Sequence, residues 1–113
     1  MALRLTKPFQ PLTLENARAL PGQLGIYELA DAEGRTVAFG FAGARSLFGL
    51  RSELMAMAEA PPHGATQFRV EVNQQYHTRF RELLMVHQAD HGQLPPVNAE
   101  APPIGLGRLS PLK

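Results

Sequence analysis

"GIYELADAEGRTVAFGFAG", residues 25–43, sets two apolar runs on either side of a polar tetrapeptide, and its reading decides the fold. Gly25 to Leu29 and Thr36 to Phe41 have the length and residue types of strands. Asp31 to Gly34 supplies the turn between them, with Gly34 able to take positive φ. The stretch is therefore expected to be a β-hairpin.

Upstream, residues 1–12 carry two prolines and alternate apolar with polar side chains, which predicts an extended arm. Thr13 is a suitable cap for a short helix through "LENARAL", with Glu15 in its first turn and Pro21-Gly22 as its stop. Downstream, Leu47, Leu50, Leu54 and Ala58 recur at helical spacing, which predicts a helix from a Ser46 cap to about Glu59, with Gly49 inside it. "QFRVEVN", residues 67–73, alternates Phe68, Val70 and Val72 with polar residues, the pattern of a half-buried strand. Thr78 can cap a last helix to about His91, with Phe80, Leu83, Leu84 and His87 on one face and Gly92 as its stop. The order helix, strand, strand, helix, strand, helix predicts a small α+β domain, a three-stranded antiparallel sheet flanked by helices. Its expected parts are an arm and short helix over 1–20, the domain proper over 21–98, and a flexible Pro/Gly-rich tail over 99–113.

Composition narrows the class of function. The 113 residues suit one domain, and 44% hydrophobic content suits a packed one. A net charge of +1 supplies no global basic field that would draw in nucleic acid. With no cysteine, disulfides, thiolate metal sites and a cysteine nucleophile are excluded. No stretch approaches the ~18 apolar residues of a membrane helix, and no apolar run opens the chain, so a soluble cytoplasmic protein is expected.

The pieces together resemble the GIY-YIG nuclease superfamily over residues 20–98. "PGQLGIYELADAEGRTVAFGFAG" is similar to the family's opening, "SLFGLRSEL" to its first helix, and "RFRELLMVHQADHGQLPPVN" to its last helix and terminal asparagine. The resemblance implies hydrolysis of a phosphodiester with one divalent metal. A tyrosine activates water, a second tyrosine supports the site, an arginine on the first helix stabilises phosphate charge, and a glutamate on the last helix holds the metal. Gly25, Gly40 and Asn98 match structural positions of the motif, and Tyr27 matches the first tyrosine. The second tyrosine falls on Ala38 or, in ungapped register, on Phe39. The arginine falls on Gly49, with Arg45 and Arg51 nearby but out of register, and the glutamate falls on His87, or on Val86 without a gap. Most catalytic positions are thus substituted, which implies a degenerate site with no bound metal or cofactor, Mg²⁺ entering only if nuclease activity is retained.

Three functions follow as expectations. The first is a domain without nuclease activity that binds nucleic acid (DNA or RNA) or a protein, with Arg45, Arg51, Arg69, Arg79 and Arg81 as the nucleic-acid contacts. The second is a rewired phosphodiesterase using Tyr27 and His87 with Arg51 or Arg45, which requires these side chains to converge on one pocket. The third is a purely structural interaction protein docked through its tail, Pro102 to Leu112. Two smaller signals compete with ordinary packing: His87 and His91, four apart beside Asp90, as metal ligands, and "GFAGARS" as an anion-binding turn.

Overall fold

A computed structural model describes residues 4–43 and 48–100. Its elements run β1 (Gln10–Pro11), α1 (Leu14–Arg18), β2 (Gly25–Ala30), β3 (Thr36–Ala42), α2 (Gly49–Glu59), a single 3₁₀ turn (Pro62–Gly64), β4 (Gln67–Val72), α3 (Tyr76–His91) and α4 (Pro96–Glu100). The sheet has four antiparallel strands in the order β1-β4-β2-β3, one more than the three expected. The extra strand belongs to the arm. Its two residues pair Gln10 with Phe68 and Pro11 with Gln67 along the outer edge of β4.

The hairpin forms as its sequence predicts. Asp31 organises the turn, its Oδ1 accepting from the amides of Glu33 and Arg35, while Gly34 takes φ +83°. β2 becomes the central strand, paired with β3 on one side and β4 on the other, and every one of its residues is buried.

Strand alternation then sorts the core into two layers. Tyr27 and Leu29 share one face with Ala38 and Ala42 of β3 and with Phe68 and Val70 of β4, beneath Leu50 and Leu54 of α2 and Ala17 of α1. Ile26 and Phe39 share the other face with Phe80, Leu83 and Leu84 of α3 and with Leu5 of the arm. Val72, expected inward, is 45% exposed at the end of β4.

The helix boundaries depart from the sequence reading in three places. α3 starts at Tyr76 rather than after Thr78, because Asn73 Oδ1 accepts from the Gln75 amide and turns the chain one step earlier. Ala99 and Glu100, placed in the tail, complete α4. Gly49 opens α2 in the left-handed region (φ +58°), where it lies against Gln23, just before β2, rather than in a helical interior. The Ser46 cap, Arg45, Leu47 and the stretch Pro102 to Leu112 lie outside the described residues.

Candidate ligand cleft

Glu28 is the most buried charged residue, 3% exposed at the middle of the central strand. A carboxylate there must be paired. Register places Arg69 of β4 directly across from it, and the guanidinium Nε donates to Oε1 at 2.7 Å. The Thr36 hydroxyl donates to Oε2 at 2.6 Å, within the short range of a hydroxyl bonded to an ionised carboxylate. Arg69 is itself held from the arm: Nη1 donates to the Lys7 carbonyl at 3.0 Å, and the guanidinium sits 4.2 Å from the Phe9 ring centroid. The arm is fixed further by Leu5 in the core and by Arg4, which donates from Nε and Nη2 to both oxygens of Asp90 on α3.

Between the arm, α3 and the sheet lies a cleft with two compartments. The inner one, about 160 Å³, has apolar walls from Leu5, Phe39, Leu83 and Val86, with Glu28, Thr36 and Arg69 on its floor. The outer one, about 470 Å³, continues past the hairpin turn toward His63 and Pro96. Thr36, His87 and His91 line both compartments. The His87 and His91 rings stand 4.4 Å apart, and His87 meets Phe39 edge-on at 6.1 Å. Burial holds the His87 imidazole below the usual histidine range, the neighbouring His91 adds to this, and Asp90 opposes it. Asp90 is held low chiefly by its hydrogen bond from Arg4. At neutral pH His87 is thus uncharged, a donor at one nitrogen and an acceptor at the other.

The expected site residues are not brought together. Tyr27 faces α2 and His87 lines the α3 side, so the sheet stands between them. The Tyr27 ring lies over Gly40, where a Cβ would come within 2.2 Å of Cζ; the glycine is needed for the tyrosine to pack. Burial, aided by the charge of Glu53, pushes the Tyr27 hydroxyl up to about 12, so it remains protonated at neutral pH. Asn98 is buried and bonds the outer edge of β3, its Oδ1 accepting from the Phe39 amide and its Nδ2 donating to the Phe39 carbonyl. That edge would otherwise be open at this point.

The arginines are divided between the layers. Arg51 donates to the Leu20 carbonyl and ties α2 to the end of α1. Arg69 is committed to Glu28, and Arg79, 7% exposed, bonds Glu71 and Glu82. Arg81 lines a shallow groove on α3 with Met85 and Val86. No group of three or more His, Asp or Glu among the described residues is arranged to hold a metal ion. Nor is any described helix long and apolar enough to cross a membrane.

Glu28, Thr36 and Arg4 escaped the sequence reading, and Asp90 entered it only as the neighbour of His87 and His91. The available signal was Glu28 itself, a charge inside the apolar run "GIYELA" that must find a partner if the strand is buried. Thr36 and Arg69 are visible as its partners only once the strand register is known.

No curated protein and no solved structure matches the chain. The model of a family described as a domain of unknown function, DUF7508, matches residues 2–90, and the chain belongs to that family.

Proposed function

We propose that the chain is a GIY-YIG-like domain that binds a ligand without cleaving phosphodiesters, and that the cleft beneath α3 is its binding site. The likeness is supported by the order of the strands and helices after α1, by Tyr27 at the centre of the sheet with Gly40 beneath it, and by Asn98 closing the edge of β3. One observation carries the loss of hydrolysis. At Gly49, where the resemblance expects the phosphate-stabilising arginine, a Cβ would lie 2.4 Å from the Gln23 carbonyl oxygen. No side chain fits there without moving backbone. The Tyr27 hydroxyl, buried and protonated on the far face from His87, supports the same conclusion.

Binding in the cleft is favoured over an arginine-lined nucleic-acid face because Arg51 and Arg79 are tied to the Leu20 carbonyl and to Glu71 and Glu82, while Arg69 lines the cleft itself. The test is incubation of labelled branched and single-stranded DNA with the protein and Mg²⁺ or Mn²⁺. Intact substrate is expected. Cleavage that disappears in Tyr27→Phe would show the hydrolytic site to be alive and overturn the proposal.

A further inference from the structure

Hydrogen-bonding capacity in the inner cleft is unevenly spent. Each carboxylate is tied to a guanidinium, Glu28 to Arg69 and Asp90 to Arg4. The guanidiniums keep donors in reserve. Arg69 uses Nε and Nη1, and Arg4 uses Nε and Nη2, so Nη2 of Arg69 and Nη1 of Arg4 have no protein partner among the described residues. His87 and His91 add ring N–H groups from the α3 wall. Across both compartments Arg4, Arg35 and Arg69 balance Glu28, Asp31 and Asp90, while His63 is bonded to Glu100. His87, which lines both compartments, is a group on the α3 wall able to change the charge of the cleft between mildly acidic and neutral pH.

We propose that the cleft is a proton-linked oxyanion site, taking the phosphate group of a small phosphate monoester between the α3 imidazoles and the guanidiniums of Arg4 and Arg69. This assignment rests on the binding-module function above and names its ligand class. Donors approach from three elements, the arm, β4 and α3, which suits a group with acceptor oxygens on several sides. The apolar walls of Leu5, Phe39, Leu83 and Val86 admit a small group and exclude a polymer backbone from the inner compartment. At neutral pH the cleft is charge-balanced and holds an anion weakly. Protonation of His87 makes it cationic, and a bound phosphate in turn stabilises the His87 imidazolium.

The experiment is a titration of the intact protein with inorganic phosphate and, in parallel, with sulfate, whose charge is the same at both pH values, at about pH 5.5 and about pH 7.5, chloride matching the ionic strength, followed through the His87 and His91 ring resonances. Sulfate binding roughly tenfold tighter at the lower pH is expected, with the His87 ring titrating at higher pH when either anion is present. His87→Gln should remove most of the pH dependence. Arg4→Gln, at an exposed position, should weaken binding at both pH values with the fold intact. Equal affinity at the two pH values, or shifts confined to surface groups such as Arg81, would overturn the assignment. DNA cleavage by the same preparation bears on the binding-module function alone, so the two can fail separately.

Discussion

Gly49→Arg restores the residue type that a nuclease of the resembling family would carry, and the structure predicts that it damages the fold. Two costs add. The first is conformational: at φ +58° any non-glycine residue loses about 1–2 kcal/mol. The second is steric, since the new Cβ would lie 2.4 Å from the Gln23 oxygen and 2.7 Å from its carbonyl carbon. Relieving that contact displaces the carbonyl that accepts from the Leu50 amide at 2.9 Å, a bond worth about 1 kcal/mol, and strain around an overfilled site adds about 1–3 kcal/mol. The sum is about 3–6 kcal/mol, a large part of the ~5–15 kcal/mol that holds a domain together. Gly34→Ala is the internal reference, because Gly34 also has positive φ (+83°) but nothing within 4 Å of its Cβ. It should pay the conformational cost alone. Urea unfolding of Gly49→Ala and Gly34→Ala, with m-values compared, separates the two terms. Gly49→Ala should be less stable than Gly34→Ala by about 2 kcal/mol or more, a melting difference of roughly 10 °C for a domain of this size. Equal stabilities would show that the Gln23 contact is not a constraint, and the argument against an arginine at this position would fall with it.

Removal of the Asn98 amide should loosen the free edge of the sheet: Asn98→Ala loses both bonds to Phe39 and about 1–3 kcal/mol, read as faster hydrogen exchange at the Phe39 amide. Unchanged exchange there would remove Asn98 from its edge role. In Tyr27→Phe the fold should survive, and alkaline unfolding should move to higher pH. The hydroxyl is raised in the folded state, so its contribution is complete below about pH 10, is lost as pH rises toward about 12, and amounts to roughly 2–3 kcal/mol. Arg69→Met should cost more than the double variant with Glu28→Gln, because the single change strands a buried carboxylate; a coupling near zero in the double-mutant cycle would contradict their pairing. For Glu71, burial pushes the carboxyl up, but hydrogen bonds from Arg79 and Asn73 outweigh it. Its folded value is therefore lowered, and its contribution should be lost as pH falls below about 4.5 in an acid titration, a loss that Arg79→Met should abolish.

How much of this was legible in the sequence follows from the range of each signal. The hairpin, α1 with its Thr13 cap, the β4 alternation and the Gly92 stop are local patterns, and all appear in the structure. β1 was not legible as a strand, because two residues, one of them a proline, cannot be told from the rest of an extended arm; only β4 across from them makes them one. Gly49 was legible as a glycine and misread as a helix-interior cost, since the reason for it, the Gln23 carbonyl, lies on another segment. The arginines show the same limit. They were expected as nucleic-acid contacts, and burial turned Arg69 and Arg79 into partners for Glu28, Glu71 and Glu82. The cleft was half legible: His87 and His91 were visible at helical spacing, whereas the carboxylate floor required the register of three strands.

The two-layer core also separates the positions at which the resembling nucleases would carry catalytic groups. Ala38, one of the two positions where the second tyrosine falls, shares the Tyr27 face beneath α2; His87, where the metal carboxylate falls, opens on the α3 side. A tyrosine at Ala38 would have to displace the core of Leu50 and Leu54, and a glutamate at His87 would enter a cleft whose charges are already balanced by Arg4 and Arg69. An arginine at Gly49 meets backbone. Each restored group would thus oppose a different part of the present packing, and the costs would add because the sites are separate. These positions are part of how this chain packs, Ala38 in the layer beneath α2, Gly49 against the Gln23 carbonyl and His87 on the α3 side.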